Sequence, residues 1–199
     1  MSKPLIIGVT GGIGSGKSVV CRLFQLMGLP VYISDDETKQ LMVRDEAIRT
    51  GLIELLGPEV YLPEGLNKPL LAAYLFASAE HAKTINALVH PCVKAEFRQW
   101  IQKHTDAPLV AIESAILIEA GFRDEVDVVL MVTAPLEVRI QRAMQRDGVS
   151  RRQVEKRIQR QMADEAKAAL ADYKLINDGE HPLIPQVLQL IAALSKIND

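Results

Sequence analysis

Gly11-Gly12-Ile13-Gly14-Ser15-Gly16-Lys17-Ser18 is the stretch that decides how this chain reads. It fits G-x-x-x-x-G-K-[ST], a loop that cradles phosphates when a strand precedes it and a helix follows. Leu5-Ile6-Ile7-Gly8-Val9 is a short apolar run of the buried-strand kind. Val19 to Met27 continues as a helix, with Gly28 placed to cap it. Gly11, Gly12, Gly14 and Gly16 are expected to let the backbone wrap close to an anion, because side chains there would block it. The loop N–H groups and the positive end of the helix then face a polyphosphate. Lys17 puts a point charge between the β- and γ-phosphates, and the Ser18 hydroxyl is a ligand for Mg²⁺.

Composition narrows the rest. A length of 199 residues suits one domain with an insertion, and 48% apolar residues are ample for a core. A net charge of −2 argues against bulk attraction to nucleic acid or to a membrane. Cys21 and Cys92 stand far apart without a C-x-x-C, which predicts reduced core residues of a cytoplasmic protein. The first apolar run is too short for a signal peptide, and no stretch reaches membrane-spanning length.

Outward from the loop, Val31-Tyr32-Ile33 reads as a second strand. Ser34 to Glu37 matches the S-x-x-E capping box, so one helix is expected from there to about Thr50. Asp35 and Asp36 fall in its first turn. They either complement the helix dipole or place a carboxylate where an open α/β sheet keeps its chemistry. Gly51 to about Lys103 is a long helical excursion, broken by Gly57-Pro58 and Pro63-Glu64-Gly65. It far exceeds what a crossover between parallel strands needs, which predicts a small helical subdomain. Within it Pro91 should start or kink a helix, and His90 is either structural or a substrate contact.

Leu109 to Ile112 and Val126 to Val132 are further buried strands. Thr133-Ala134-Pro135 opens a helix that ends at Asp147-Gly148. Leu136, Ile140, Ala143 and Met144 form its apolar stripe, and Arg139, Arg142 and Arg146 line another side. Ser150 to Gln153 offers a second capping box. Arg146, Arg151, Arg152, Lys156, Arg157 and Arg160 face only Asp147 and Glu155 in this segment. Such a run is a solvated face, a nucleic-acid patch or a mobile cover over transferring phosphates. The near-neutral chain without interleaved aromatics disfavours the second, and the phosphate loop favours the third. Tyr173 to Asn177 holds a last strand, and Leu183 to Ile197 is a closing amphipathic helix.

Three classes of phosphate-loop protein compete. A GTP switch would carry Asn-Lys-x-Asp and Asp-x-x-Gly, which are absent from this sequence. A transport or motor ATPase would carry signature or docking elements, and none is found. A kinase for a small molecule needs a second substrate pocket, an acid near the acceptor hydroxyl and lid arginines. The helical insert, Asp36, and Arg142 with its neighbours supply candidates for all three. A nucleoside or nucleotide kinase of similar architecture is one alternative, and a regulatory module that binds nucleotide without phosphotransfer is another.

The ordered set of motifs resembles the dephospho-CoA kinase family. It comprises Thr10 to Ser18, the segment around Asp36, His90-Pro91, Leu117-Ile118-Glu119, Val126-Asp127, Arg142 with Arg146-Asp147-Gly148, Gln161, and Asp172 with Asn177. The resemblance implies a three-layer α/β P-loop fold with a five-stranded parallel sheet. It also implies a helical CoA-binding insert at about 57–105 and a lid at about 146–165. The implied reaction moves the ATP γ-phosphoryl group, with Mg²⁺, to the ribose 3′-hydroxyl of dephospho-CoA, in a cytoplasmic monomer or small homo-oligomer. Asp36 looks like the family aspartate that takes the acceptor proton, beside Lys17 and Arg142 as the other catalytic candidates. Gly12, Ile13, Gly14, Ser15, Gly16, Lys17, Ser18, Val19, Arg142, Arg146 and Asn177 map to ATP binding, with Ser18 as the metal ligand. Asp36, His90, Leu117, Glu119 and Arg139 map to the acceptor. The chain departs from the family in four places. Ser34-Asp35-Asp36 replaces Asp-x-Asp, and Gln40 stands where a basic residue is common. Ala115-Ile116-Leu117-Ile118-Glu119 replaces Pro-Leu-Leu-Phe-Glu, and Arg139 replaces a glutamine.

Overall fold

Every residue of β1 (Leu5–Thr10) is buried, which explains why it reads as an unbroken apolar run. It is the middle strand of a parallel sheet with β2 (Val31–Ile33), β5 (Leu109–Glu113), β6 (Val128–Thr133) and β7 (Tyr173–Ile176). The order is β2-β5-β1-β6-β7, and all neighbours run parallel. A separate antiparallel hairpin pairs β3 (Tyr61–Leu62) with β4 (Gly65–Leu66). The helices are α1 (Lys17–Leu26), α2 (Ser34–Arg44), α3 (Glu46–Leu56), α4 (Lys68–Ala77), α5 (Ala79–Gln102), α6 (Leu136–Asp147), α7 (Arg151–Ile158), α8 (Asp164–Ala169) and α9 (Leu183–Asn198). This computed structural model describes residues 3–198. Its chain divides into one unit of residues 1–33 with 101–199 and a second of residues 34–100.

In the first unit, Leu5, Ile7 and Val9 of β1 pack with Val20, Cys21 and Phe24 of α1 and with Val187, Leu190 and Leu194 of α9. Fully burying a side chain such as Phe24 contributes about 1.5–3 kcal/mol. The alternate residues, Ile6, Val110, Ile112, Val129 and Met131, are buried on the other face. Gly8 has no room for a side chain there, since a Cβ would lie 2.9 Å from Leu117 Cδ1. From β1 the connections go first to β2 and β5 on one side, then to β6 and β7 on the other. Open α/β sheets bind ligands outside the carboxyl ends of strands at such a divergence.

Gly28 ends α1 as the expected cap. Its N–H donates to the Gln25 carbonyl and that of Leu29 to the Phe24 carbonyl, the paired bonds of a Schellman motif. Ser150 and Gln153 form the expected capping box at α7. Asp127 and Asp172 take matching positions at the amino edge of the sheet. The Asp127 carboxylate accepts from Ile6 N–H at 2.7 Å, and the Asp172 carboxylate accepts from Val129 N–H at 2.7 Å. Each stands in for a backbone carbonyl and continues the hydrogen-bond ladder one place beyond the strand.

The second unit departs from expectation in three places. The helix expected from Ser34 to Thr50 is two helices, because the Asp45 carboxylate caps α3 by accepting from Ile48 N–H at 3.0 Å. The excursion also contains the β3–β4 hairpin, whose two-residue strands carry no periodicity to read. Pro91 lies inside the 24-residue α5 rather than starting a helix. The ring removes one N–H donor there, and the helix continues through it.

Candidate active site

The phosphate loop joins β1 to α1. Gly11, Gly14 and Gly16 have φ of +145°, +77° and +95°, values at which L side chains are strained. Their freedom serves the chain itself as well as any ligand. A Cβ on Gly11 would strike the Val132 carbonyl, one on Gly12 the Arg139 guanidinium, one on Gly14 the Arg139 carbonyl, and one on Gly16 the Asn177 amide. The glycines therefore bring α6 and the end of β7 directly against the loop's outer side. Lys17 and Ser18 open α1, where N–H groups have no acceptor within the helix.

Lys17 curls back over the loop, its Nζ donating to the carbonyls of Gly11 at 3.1 Å and Gly12 at 3.4 Å. Glu113, the last residue of β5, approaches that ammonium at 3.9 Å. The Cys21 thiol is raised well above its usual range by burial, then by the Glu113 charge, and so is chemically quiet. The buried hydroxyls of Thr10 and Ser15 have no hydrogen-bond partner among the described residues. Ser18 is exposed at the mouth. No group of three or more His, Cys, Asp or Glu able to hold a metal occurs among the described residues. The exposed Ser18 hydroxyl beside the loop is a donor that suits Mg²⁺, which keeps waters and leans on substrate phosphates rather than on a protein cage.

Three side chains fasten the loop from outside. The Asn177 side-chain amide donates to the Ser15 carbonyl at 2.9 Å, and the Asn177 backbone carbonyl accepts from Arg142 at 2.7 Å. Gln161 accepts from Ile13 N–H at 3.1 Å. Arg139, 3% exposed, forms a forked pair with Asp164 at 2.6 and 3.1 Å. Arg139 thus packs against the phosphate loop at Gly12 and Gly14. Asp164→Ala leaves that guanidinium buried without its carboxylate. We expect a loss of about 2 kcal/mol, below the full cost for a buried pair because Asp164 is itself partly exposed. The check is a lower urea midpoint at an unchanged m-value.

The remaining expected site residues differ in their surroundings. Leu117 is fully buried and supports β1 at Gly8, so it presents no surface to a substrate. Glu119 accepts from Met162 N–H at 2.9 Å and pairs at 3.0 Å with Lys167, which is itself fully buried and donates to the Ala115 carbonyl. Glu119 is thereby committed to holding this segment. Val19 is half exposed on α1. Arg146 binds Asp147, which also accepts from Arg157 at 2.8 Å. Arg151 grips Glu137 through two bonds of 2.7 and 2.6 Å. Arg151 and Arg157 of the expected cover thus fasten α7 to α6, beside a small core of Ile140, Ala143 and Val154. Lys167, Asp164 and Glu113 were missed by the sequence reading. Only Glu113, an acid at the end of a buried strand, carried a local signal.

In the second unit, Asp36 is exposed and accepts from Lys39 Nζ at 2.7 Å, one turn along α2. Lys39 stands one place before Gln40, where the family commonly has its basic residue. His90 is half-buried on α5, and its pKa lies below the ordinary value because of burial, then the Lys94 charge. A depressed histidine pKa means the unfolded chain binds more protons between the two values. Its contribution to stability therefore falls as pH drops below about 6.5 and is flat above that. The His90 ring signals should titrate below about 6.5 by NMR, and His90→Gln should flatten this limb of the stability curve.

The comparisons agree over nearly the whole chain. A family model described as dephospho-CoA kinase matches residues 5–182. A dephospho-CoA kinase of Bacteroides fragilis is 55% identical over 188 residues, covering 94% of this chain and 92% of that one. One from Porphyromonas gingivalis is 41% identical, covering 94% and 93%. The crystal structure of TT1252 from Thermus thermophilus superposes with a TM-score of 0.85 at 35% identity, covering 96% and 98%. A phosphate loop alone is common to many proteins, but these matches run from β1 past β7, through Asp36, His90, Arg142 and Asn177, and on that footing the chain belongs to the dephospho-CoA kinase family.

Proposed function

We propose that this protein transfers the γ-phosphoryl group of ATP to the ribose 3′-hydroxyl of dephospho-CoA, giving coenzyme A and ADP in the cytoplasm. The observation that carries the reading is the near-full-length match to dephospho-CoA kinases, because the loop by itself does not choose an acceptor. In this reading the loop N–H groups and Lys17 hold the triphosphate, and Ser18 holds Mg²⁺. The metal, when bound, offsets charge on the β- and γ-phosphate oxygens. Asp36 takes the proton of the 3′-hydroxyl as its oxygen bonds to the γ-phosphorus and the bond to the ADP oxygen breaks. An ordinary carboxylate suffices because this transition state is loose and the proton leaves late. Arg142, held by the Asn177 carbonyl, steadies the developing charge, with Arg146 second to it. Asn177 and its neighbours seat the adenine. His90 and the helical insert serve the acceptor, and the segment at about 146–165 serves as lid.

Labelled ATP offered with dephospho-CoA, adenosine, AMP and other nucleosides tests this directly. Efficient transfer to dephospho-CoA is the expected result. Transfer to a nucleoside monophosphate with none to dephospho-CoA would establish the nucleotide-kinase alternative. ATP binding with no acceptor-dependent ADP release would establish a regulatory module.

A further inference from the structure

Within the second unit a cavity of about 470 Å³ opens between α2, the β3–β4 hairpin and the start of α4. That volume lies in the range of small-molecule pockets. Its wall combines two kinds of chemistry. Met42, Val43, Leu66 and Leu71 supply an apolar surface, and Lys39 and Lys68 supply ammonium groups. Glu64, at the hairpin turn, is also on the wall. Val43 is 47% exposed although apolar. The hairpin is braced against α2, since the Tyr61 hydroxyl donates to the Met42 carbonyl at 2.6 Å and the Arg49 guanidinium lies over the Tyr61 ring. The cavity walls are therefore held in place before any ligand arrives.

Lys39 connects this cavity to Asp36. It lines the wall, and its ammonium donates to Asp36 Oδ1 at 2.7 Å. The Asp36 hydrogen bond raises the ammonium's pKa, so Lys39 stays charged. A carboxylate oxygen that already accepts from an ammonium is poorly placed to accept the proton of an alcohol. Drawing Lys39 away leaves both oxygens of Asp36 to an acceptor hydroxyl.

Resting on the reading of the protein as a dephospho-CoA kinase, we infer that this cavity receives the pantetheine arm of the acceptor, and that the acceptor's pyrophosphate takes Lys39 from Asp36. Pantetheine carries a dimethyl group, two amides and a thiol, which suits a wall of aliphatic side chains with a few polar groups. The pyrophosphate brings two negative charges against the one of Asp36, and a lysine ammonium turns readily between acceptors. The 3′-oxygen and the 5′-pyrophosphate lie on opposite sides of one ribose, a span comparable to the roughly 5.4 Å of one helical turn. Asp36 and Lys39 are one such turn apart. An acceptor with the pyrophosphate therefore frees its own base, and one without it does not.

The test is steady-state kinetics of the full-length wild type, Lys39→Gln and Val43→Glu with dephospho-CoA and with adenosine. Adenosine is followed as an acceptor or, where its turnover is below detection, by its inhibition constant. Both changes are at exposed positions, and unchanged thermal midpoints verify the fold. Each variant is expected to raise KM for dephospho-CoA about tenfold, as for loss of one charged or buried contact. The constants for adenosine binding should move less than about twofold. Lys39→Gln should also raise kcat for adenosine wherever that turnover is measurable, because Asp36 is no longer held. An unchanged KM for dephospho-CoA in Val43→Glu, or a KM that moves equally for both acceptors in Lys39→Gln, overturns the inference alone. A wild type that transfers nothing to dephospho-CoA overturns the function on which it rests.

Discussion

Asp36→Asn should lower turnover with dephospho-CoA at least about a hundred-fold while ATP affinity changes by less than about threefold. The substitution keeps the shape of the side chain and still offers an oxygen to Lys39, which in the free protein donates to Asp36 at 2.7 Å. It removes only the ability to take a proton. The acceptor hydroxyl must lose its proton as the new phosphorus–oxygen bond forms, so a residue in that role shows its loss in kcat and not in nucleotide binding. Turnover under saturating ATP, with ATP affinity measured separately by equilibrium binding, distinguishes the two. Near-normal turnover would take Asp36 out of the role and move it to Asp35, its neighbour on α2. Glu119 is a poorer successor, because Lys167 and the Met162 N–H already use its carboxylate.

Lys17→Ala should reduce both ATP affinity and turnover, the latter by on the order of 10²–10³. Its ammonium donates to the Gly11 and Gly12 carbonyls, which places it against the loop that is to receive the phosphates. Loss of that charge removes a group that acts most strongly when charge migrates from the γ- to the β-phosphate. The same variant loses the bonds that drape the side chain over the loop, so a thermal midpoint should accompany the kinetics. Unchanged binding and turnover in a folded Lys17→Ala protein would mean that the loop does not hold the triphosphate.

The contrast between these two residues and the loop's supports shows what a sequence can reveal. Lys17 and the glycines were legible because the strand, the loop and the helix lie within one short segment, and because φ values such as +77° at Gly14 demand glycine. The strands of the sheet were legible because burial on both faces leaves unbroken apolar runs. The break at Asp45 was not, since a capping aspartate between two amphipathic helices looks like one polar residue on a single helix. The tiny β3–β4 hairpin left no periodic trace. The pairing of Arg139 with Asp164, 25 residues away, left no local signal. Leu117 and Glu119 sit in a recognisable motif, yet Leu117 is core and Glu119 is the outer partner of the buried Lys167.

From the order of residues alone came the parallel α/β architecture, the phosphate loop and the family, because each rests on local pattern or on motifs in a set order. Only the tertiary structure decided which groups hold that loop in shape. Asn177 reaches the Ser15 carbonyl across 162 residues and Gln161 reaches the Ile13 N–H across 148. A partner that distant leaves no periodicity, cap or composition in the chain. Its identity follows from how strands and helices stack, and it becomes visible only when burial forces each polar group to find its acceptor.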